Sequence, residues 1–214
     1  MKHEYNQKEL WRKTWDDEKH KKVNAFAKRS LAIIEKHGNL KTLLDLGCGL
    51  GQDSAYFAKK DFQVTAVDFS ETGVRGIPKD IKNLKPVCQD INNLKFKHDS
   101  FDIIYANLSL HYFDDSATTK IFDKLYDILK KDGLIFIKCK STDDAVYGKG
   151  GKIAPDVYFF EGRVCHFFSK EYMKSKLAKF HVMKIRKTAS LYHKYKSSFI
   201  EAVAMKNKNY EKTV

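Results

Sequence analysis

The chain has 214 residues, a formal net charge of +13 and a mean hydropathy of −0.52. No apolar run approaches the ~20 residues that cross a bilayer, which argues against a membrane-spanning helix, and the length suits one domain with a full core. Cys48, Cys88, Cys139 and Cys165 lie far apart with no C-x-x-C pair, which speaks for reduced thiols and against a structural metal site. Met1 to Tyr5 lacks the apolar segment that secretion requires, so the expectation is a cytoplasmic protein with residues 1–214 as one domain.

In chain order, residues 1–40 read as a helical extension in which Val23, Phe26, Ala27, Leu31 and Ile34 recur at helical spacing until His37-Gly38 stops them. A first strand runs through Leu43 to Leu46 into the glycine-rich turn Gly47-Cys48-Gly49-Leu50-Gly51, and Gln52 to Lys60 can form a helix. Val64 to Asp68 reads as a second apolar strand ending in an acid. Ser116 or Asp115 caps a helix whose stripe is Ile121, Phe122, Leu125, Ile128 and Leu129, ended by Lys130 to Gly133. The nearly continuous apolar run Leu134 to Cys139 suits a strand covered on both faces.

Residues 142–168 are too long for an ordinary connection and carry Gly148, Gly150, Gly151, Tyr147, Tyr158, Phe159, Phe160 and His166. They read as an irregular substrate-side loop or lid. Ser169 then caps a helix from Tyr172 to Phe180, and β-prone stretches at about 181–192 and 198–206 close the chain as an antiparallel pair.

The glycine turn carries the chemistry. Glycine at the end of a buried strand takes left-handed dihedrals and lets a ligand approach the main chain without meeting a Cβ. The spacing G-x-G-x-G puts Gln52 where a dinucleotide fingerprint wants its third glycine, and Asp53 stands where a P-loop wants its lysine. NAD and ATP are both disfavoured. Asp45, at the mouth of the turn, repels a pyrophosphate but suits a ligand bearing an ammonium group.

From here the chain resembles the class I S-adenosylmethionine-dependent methyltransferases, whose acid-x-G-x-G-x-G motif is matched by Asp45, Gly47, Gly49 and Gly51. The resemblance covers about residues 40 to 140. It implies that Asp68, at the end of the second strand, holds the ribose hydroxyls and that Phe69 covers one adenine face. Asp90 would accept the adenine amino proton while Ile91 packs on the ring, and Asn107 would end the fourth strand facing the transferable methyl. It also implies a doubly wound, mostly parallel seven-stranded sheet in the order 3-2-1-4-5-7-6, with strand 7 antiparallel and helices on both faces. The general layout is similar to that of tellurite-resistance-type small-molecule methyltransferases.

Methyl transfer asks the protein mostly for alignment and exclusion of water, and a base helps when the acceptor is a hydroxyl or a protonated amine. His111, just past the fourth strand, is the first candidate for a base or substrate contact, with Tyr112 beside it and Tyr147 and His166 as weaker candidates. The Asn/Asp-Pro-Pro-Tyr/Phe pattern of enzymes methylating exocyclic adenine amines or glutamine amides is missing from this region.

The charge is terminal: residues 170–214 hold 12 Lys/Arg against 3 Asp/Glu and residues 1–41 hold 11 against 6, which leaves the middle near neutral. Nucleic acid is therefore a candidate partner, but 35 of the 40 cations are lysine, whereas phosphate and base recognition favour the guanidinium fork. The expectation is a small-molecule methyltransferase; the alternatives are an RNA methyltransferase using the basic ends, and a non-catalytic cofactor-binding relative.

Overall fold

A computed structural model describes residues 10–11, 22–192 and 195–206. Helix α1 (Ala25–Ile34) buries Phe26, Ala27, Ser30, Leu31 and Ile34 along one face, as the spacing predicts. It is followed by β1 (Thr42–Leu46), α2 (Gln52–Ala58), β2 (Gln63–Asp68), α3 (Glu71–Arg75) and β3 (Leu84–Cys88). Next come β4 (Phe101–Asn107), α4 (Asp115–Ile128) and β5 (Leu129–Lys140). The third quarter of the chain holds β6 (Gly151–Ala154), β7 (Val157–Phe160) and β8 (Arg163–His166), and the rest is α5 (Lys170–Lys176), β9 (His181–Tyr192) and β10 (Tyr195–Met205).

Seven strands form one sheet in the order β3-β2-β1-β4-β5-β10-β9. Pairings from β3 to β5 are parallel, and β10 runs antiparallel to both neighbours. This is the order expected from the resemblance, with β9 and β10 as its sixth and seventh strands. Strand alternation divides the core in two. Leu44, Leu46, Ile104, Ala106, Ile135 and Ile137 face α4 and α5, while Leu43, Ile103, Tyr105, Leu134 and Phe136 face α1 and α2. Asp45 falls on the α1/α2 side by the same alternation, two residues from Leu43 and level with Tyr105 of β4.

Four local readings change. The cap of α4 is Asp114, whose carboxylate accepts from Ala117 N at 2.8 Å, and not Asp115 or Ser116. Strand β5 starts at Leu129, directly after the helix, with Asp132 in the left-handed region at φ 61°. Helix α5 is capped by Ser169, as predicted, but spans Lys170–Lys176 and so ends before Phe180. Residues 142–168 are not an irregular loop: β6, β7 and β8 form a three-stranded antiparallel meander. Its second turn is Glu161-Gly162, both at positive φ (50° and 79°), the geometry that matches the twist of a tight hairpin.

Candidate active site

Contacts at Gly47 and Gly51 leave no room for a Cβ at either position. Gly47, Gly49 and Gly51 all have positive φ (74°, 55° and 73°). A Cβ on Gly47 would sit 2.3 Å from the Cβ of Ser109, whose hydroxyl donates to Leu46 O at 2.6 Å and pins the β4 loop onto the turn. The N–H groups of Gly47 and Cys48 both donate to Val67 O, which fastens the turn to the end of β2.

Three carboxylates are buried at this corner: Asp45, Asp53 and Asp68 are 3%, 4% and 5% exposed. The hydroxyl of Ser54 donates to Asp45 Oδ2 at 2.5 Å. Burial, reinforced by the charge of Asp53, pushes the Asp45 carboxyl up to about 8; the Ser54 bond opposes the shift and Asp68 adds to it. Asp68 accepts Gly49 N on one oxygen and Ser70 N on the other, each at 2.9 Å, so each oxygen keeps a lone pair for another donor. Burial raises its carboxyl from the ordinary range, and backbone N–H bonds from Ser70, Gly49 and Phe69 oppose that rise. Burial also pushes the Cys48 thiol well up, with Asp45 and Asp68 adding to it.

Asp53 is a hub that sequence reasoning treated only as a missing lysine. Its carboxylate accepts the backbone N–H and the side-chain amide of Asn24, and the Tyr105 hydroxyl, all at 2.8 Å. The Asn107 amide approaches the same carboxylate at 3.5 Å.

The sheet brings the other expected residues to the same edge. Cys88 of β3 pairs with Asp68, and Gln89 N donates to Asp68 O, which sets Asp90 and Ile91 just beyond the strand end. Ile91 is buried, whereas Asp90 is partly exposed and its carboxylate accepts Asn92 N, capping a short 3-10 turn. Phe69 is half-buried directly after Asp68, and Asn107 ends β4 level with Lys138 of β5. His111 and Tyr112 lie in a second 3-10 turn, with ring centroids 4.1 Å apart. His111 is buried, and its pKa is held well below the ordinary histidine value by desolvation and then by the charges of Lys140, Arg163 and His166. His166 belongs to β8 and its Nδ1 donates to Phe113 O at 3.0 Å, joining the meander to this turn.

Five buried side-chain atoms have no hydrogen-bond partner among the described residues: Gln52 Oε1, Gln89 Oε1, Asn107 Oδ1, His111 Nδ1 and Ser30 Oγ. The first four belong to residues at the carboxyl ends of β1, β3 and β4 or the turns that follow them. Buried polar atoms are rarely left unpaired, so this edge is shaped for a guest. Three amide oxygens need donors, and three clustered buried carboxylates favour positive charge. Adenine amino, ribose hydroxyl, ammonium and sulfonium groups supply both, so the residues fit S-adenosylmethionine. Gln52, Gln89 and Asp53 were missed from the sequence, where a polar residue beside a turn carries no sign of its burial.

Comparison with known proteins agrees. The family model for methyltransferase domains matches residues 43–133. A phosphoethanolamine N-methyltransferase of Triticum aestivum is 34% identical over 114 residues, covering 50% of this chain and 23% of the relative. The chain therefore spans less than a quarter of that protein's length. Among solved structures, a SAM-dependent methyltransferase of Methanosarcina mazei superposes with a TM-score of 0.72 at 17% identity, covering 82% of this chain and 97% of the other. The 1,6-didemethyltoxoflavin-N1-methyltransferase of Burkholderia thailandensis, with bound 1,6-didemethyltoxoflavin and S-adenosylhomocysteine, gives 0.69 at 22% identity, covering 94% and 84%. Residues 43–133 thus match the model of a methyltransferase domain, and the strand order is the fold shared with these solved S-adenosylmethionine-dependent methyltransferases.

Proposed function

We propose that the chain transfers a methyl group from S-adenosylmethionine to a small-molecule acceptor. The observation that carries this reading is the convergence of buried acids and unpartnered acceptors on one strand-end edge. Bound there, the cofactor supplies an electrophilic methyl on a sulfonium centre, open to in-line displacement.

In this reading Asp68 holds the ribose hydroxyls through its two spare lone pairs, a bidentate charge-assisted contact. The backbone of Gly47, Gly49 and Gly51 lets the ligand approach closely, and Asp45 takes the ammonium. Phe69, Asp90 and Ile91 line the adenine, with Gln89 Oε1 as a further acceptor. Asn107, fixed by Asp53, faces the methyl side. His111 is the base or acceptor contact: neutral at physiological pH, with Nδ1 unpartnered, it can take a proton. The Tyr112 ring lies beside it, tilted by 37°.

The β6–β8 meander serves as the substrate-side cover. His166 ties it to the 110–113 turn, and the Arg163 guanidinium lies 5.8 Å from the Trp11 ring, which itself packs edge-on against Tyr112 at 4.8 Å. These contacts support an N-terminal contribution to the cover. Of residues 5–22, only Leu10, Trp11 and Lys22 fall within the described residues.

A small acceptor is supported by the likeness to a phosphoethanolamine N-methyltransferase and to a 1,6-didemethyltoxoflavin-N1-methyltransferase. The deciding experiment incubates the protein with methyl-labelled S-adenosylmethionine and pooled metabolites or RNA. Label in a small molecule supports the proposal; label confined to RNA, or none in any pool, contradicts it.

A further inference from the structure

The fifth unpartnered atom, Ser30 Oγ, lies away from the cofactor edge. It lines a pocket of about 240 Å³ between α1 and the β5-β10-β9 part of the sheet. We propose that this pocket is a second binding site, for a small organic anion: a carboxylate or phosphate on a short apolar body.

The register builds it. Glu201 pairs with Lys138 on one side and Arg186 on the other, and Val203 pairs with Phe136 and Lys184, so all of these lie on the α1 face of the sheet. Phe26, Phe136 and Val203 supply an apolar floor, while Arg29, Lys184 and Arg186 bring three positive charges against the one carboxylate of Glu201. Glu201 is 3% exposed and fully engaged. It accepts Arg29 Nη2 at 2.6 Å, Arg186 Nη2 and Nε at 2.7 and 3.1 Å, and the Thr188 hydroxyl at 3.1 Å. The carboxylate thus fixes two guanidinium forks side by side and leaves the lining with two net positive charges, which selects an anion.

Ser30 is 1% exposed. A serine inside a helix ordinarily returns its proton to a carbonyl one turn back, and this hydroxyl does not. An acceptor atom on the guest would satisfy it. The volume lies below the ~300–1,000 Å³ of drug-sized sites, which limits the guest to a small molecule. The site is separate from the cofactor corner: Phe26 stacks on Tyr105 with centroids 5.3 Å apart, and the Tyr105 hydroxyl beyond it is bonded to Asp53.

Titration calorimetry with benzoate and with phenyl phosphate tests this, with benzyl alcohol as the neutral control and S-adenosylhomocysteine binding as the sign of an intact fold. The proposal expects saturable binding of at least one anion, the tighter of the two naming the head group, and none of the alcohol. Ser30→Leu, which fills the pocket, abolishes it. Lys184→Gln, at the exposed rim and clear of the core, weakens it about threefold to tenfold. No saturable binding of either anion up to about 10 mM overturns the proposal. So does equal binding of the alcohol, or undiminished affinity in both variants while S-adenosylhomocysteine still binds.

Discussion

Asn24 grips Asp53 twice, through its backbone N–H and its side-chain amide, each at 2.8 Å, and so ties the start of α1 to the first turn of α2 across 29 residues of sequence. The side chain that could have capped α1 is spent on this contact. Removing the carboxylate leaves three donors facing a void, each costing about 1–3 kcal/mol when buried. Asp53→Ala therefore lowers the unfolding free energy by about 3 kcal/mol or more in denaturant titration. Tyr105→Phe costs about 1 kcal/mol, and the two changes are non-additive in a double-mutant cycle because they share one bond. Additive effects would show that the bond carries no energy.

Asp45 gives the cofactor edge a pH dependence. Its carboxyl titrates near 3.8 in the unfolded chain and is pushed up to about 8 in the fold, so between those values the native state alone keeps the proton. The native state binds more protons than the unfolded one there, so this group's contribution to stability falls as pH rises from about 4 towards about 8. A ligand ammonium favours the ionised carboxylate. S-adenosylhomocysteine affinity is therefore expected to rise from pH 6 to pH 8, with proton release on binding. Asp45→Asn flattens that rise; a pH profile identical to the parent's would remove Asp45 from the ligand's contacts.

His111 is buried and held neutral, so a role as base needs no deprotonation step near pH 7. His111→Ala is expected to lower kcat about 100-fold while leaving S-adenosylhomocysteine affinity unchanged. A fall in affinity with kcat preserved would instead make His111 a packing residue of the turn.

The parts of the fold legible in the sequence were those set by short-range chemistry. Gly47, Gly49 and Gly51 announced a turn because only glycine takes those dihedrals at no cost, and Asp68 stood out as an acid ending an apolar strand. Asp53 was legible only as a departure from another motif, since nothing near it in sequence indicates that Asn24 and Tyr105 close on it. Asp114 lost out to Asp115 and Ser116 because three successive cap-competent residues differ only in backbone angle. The β6–β8 meander was missed although Glu161-Gly162 separates two β-prone runs, Val157 to Phe160 and Arg163 to His166; a non-glycine residue at positive φ concealed the hairpin. The pocket around Glu201 depends on strands joined across the sheet and had no local signature.

The basic ends make a simple electrostatic forecast. Because lysines dominate the basic ends, tRNA is expected to bind weakly, at low salt only, with the steep loss on added salt that counterion release produces. Tight filter binding at physiological ionic strength would promote RNA to the favoured acceptor.

The central claim, that the glycine corner holds the adenosyl-sulfonium ligand through Asp68, is tested most directly by titrating S-adenosylhomocysteine into the parent and into Asp68→Ala by calorimetry. The parent is expected to bind one equivalent and the variant at least about 100-fold more weakly, the value of two charge-assisted bonds. A folded variant that binds as tightly as the parent would contradict it.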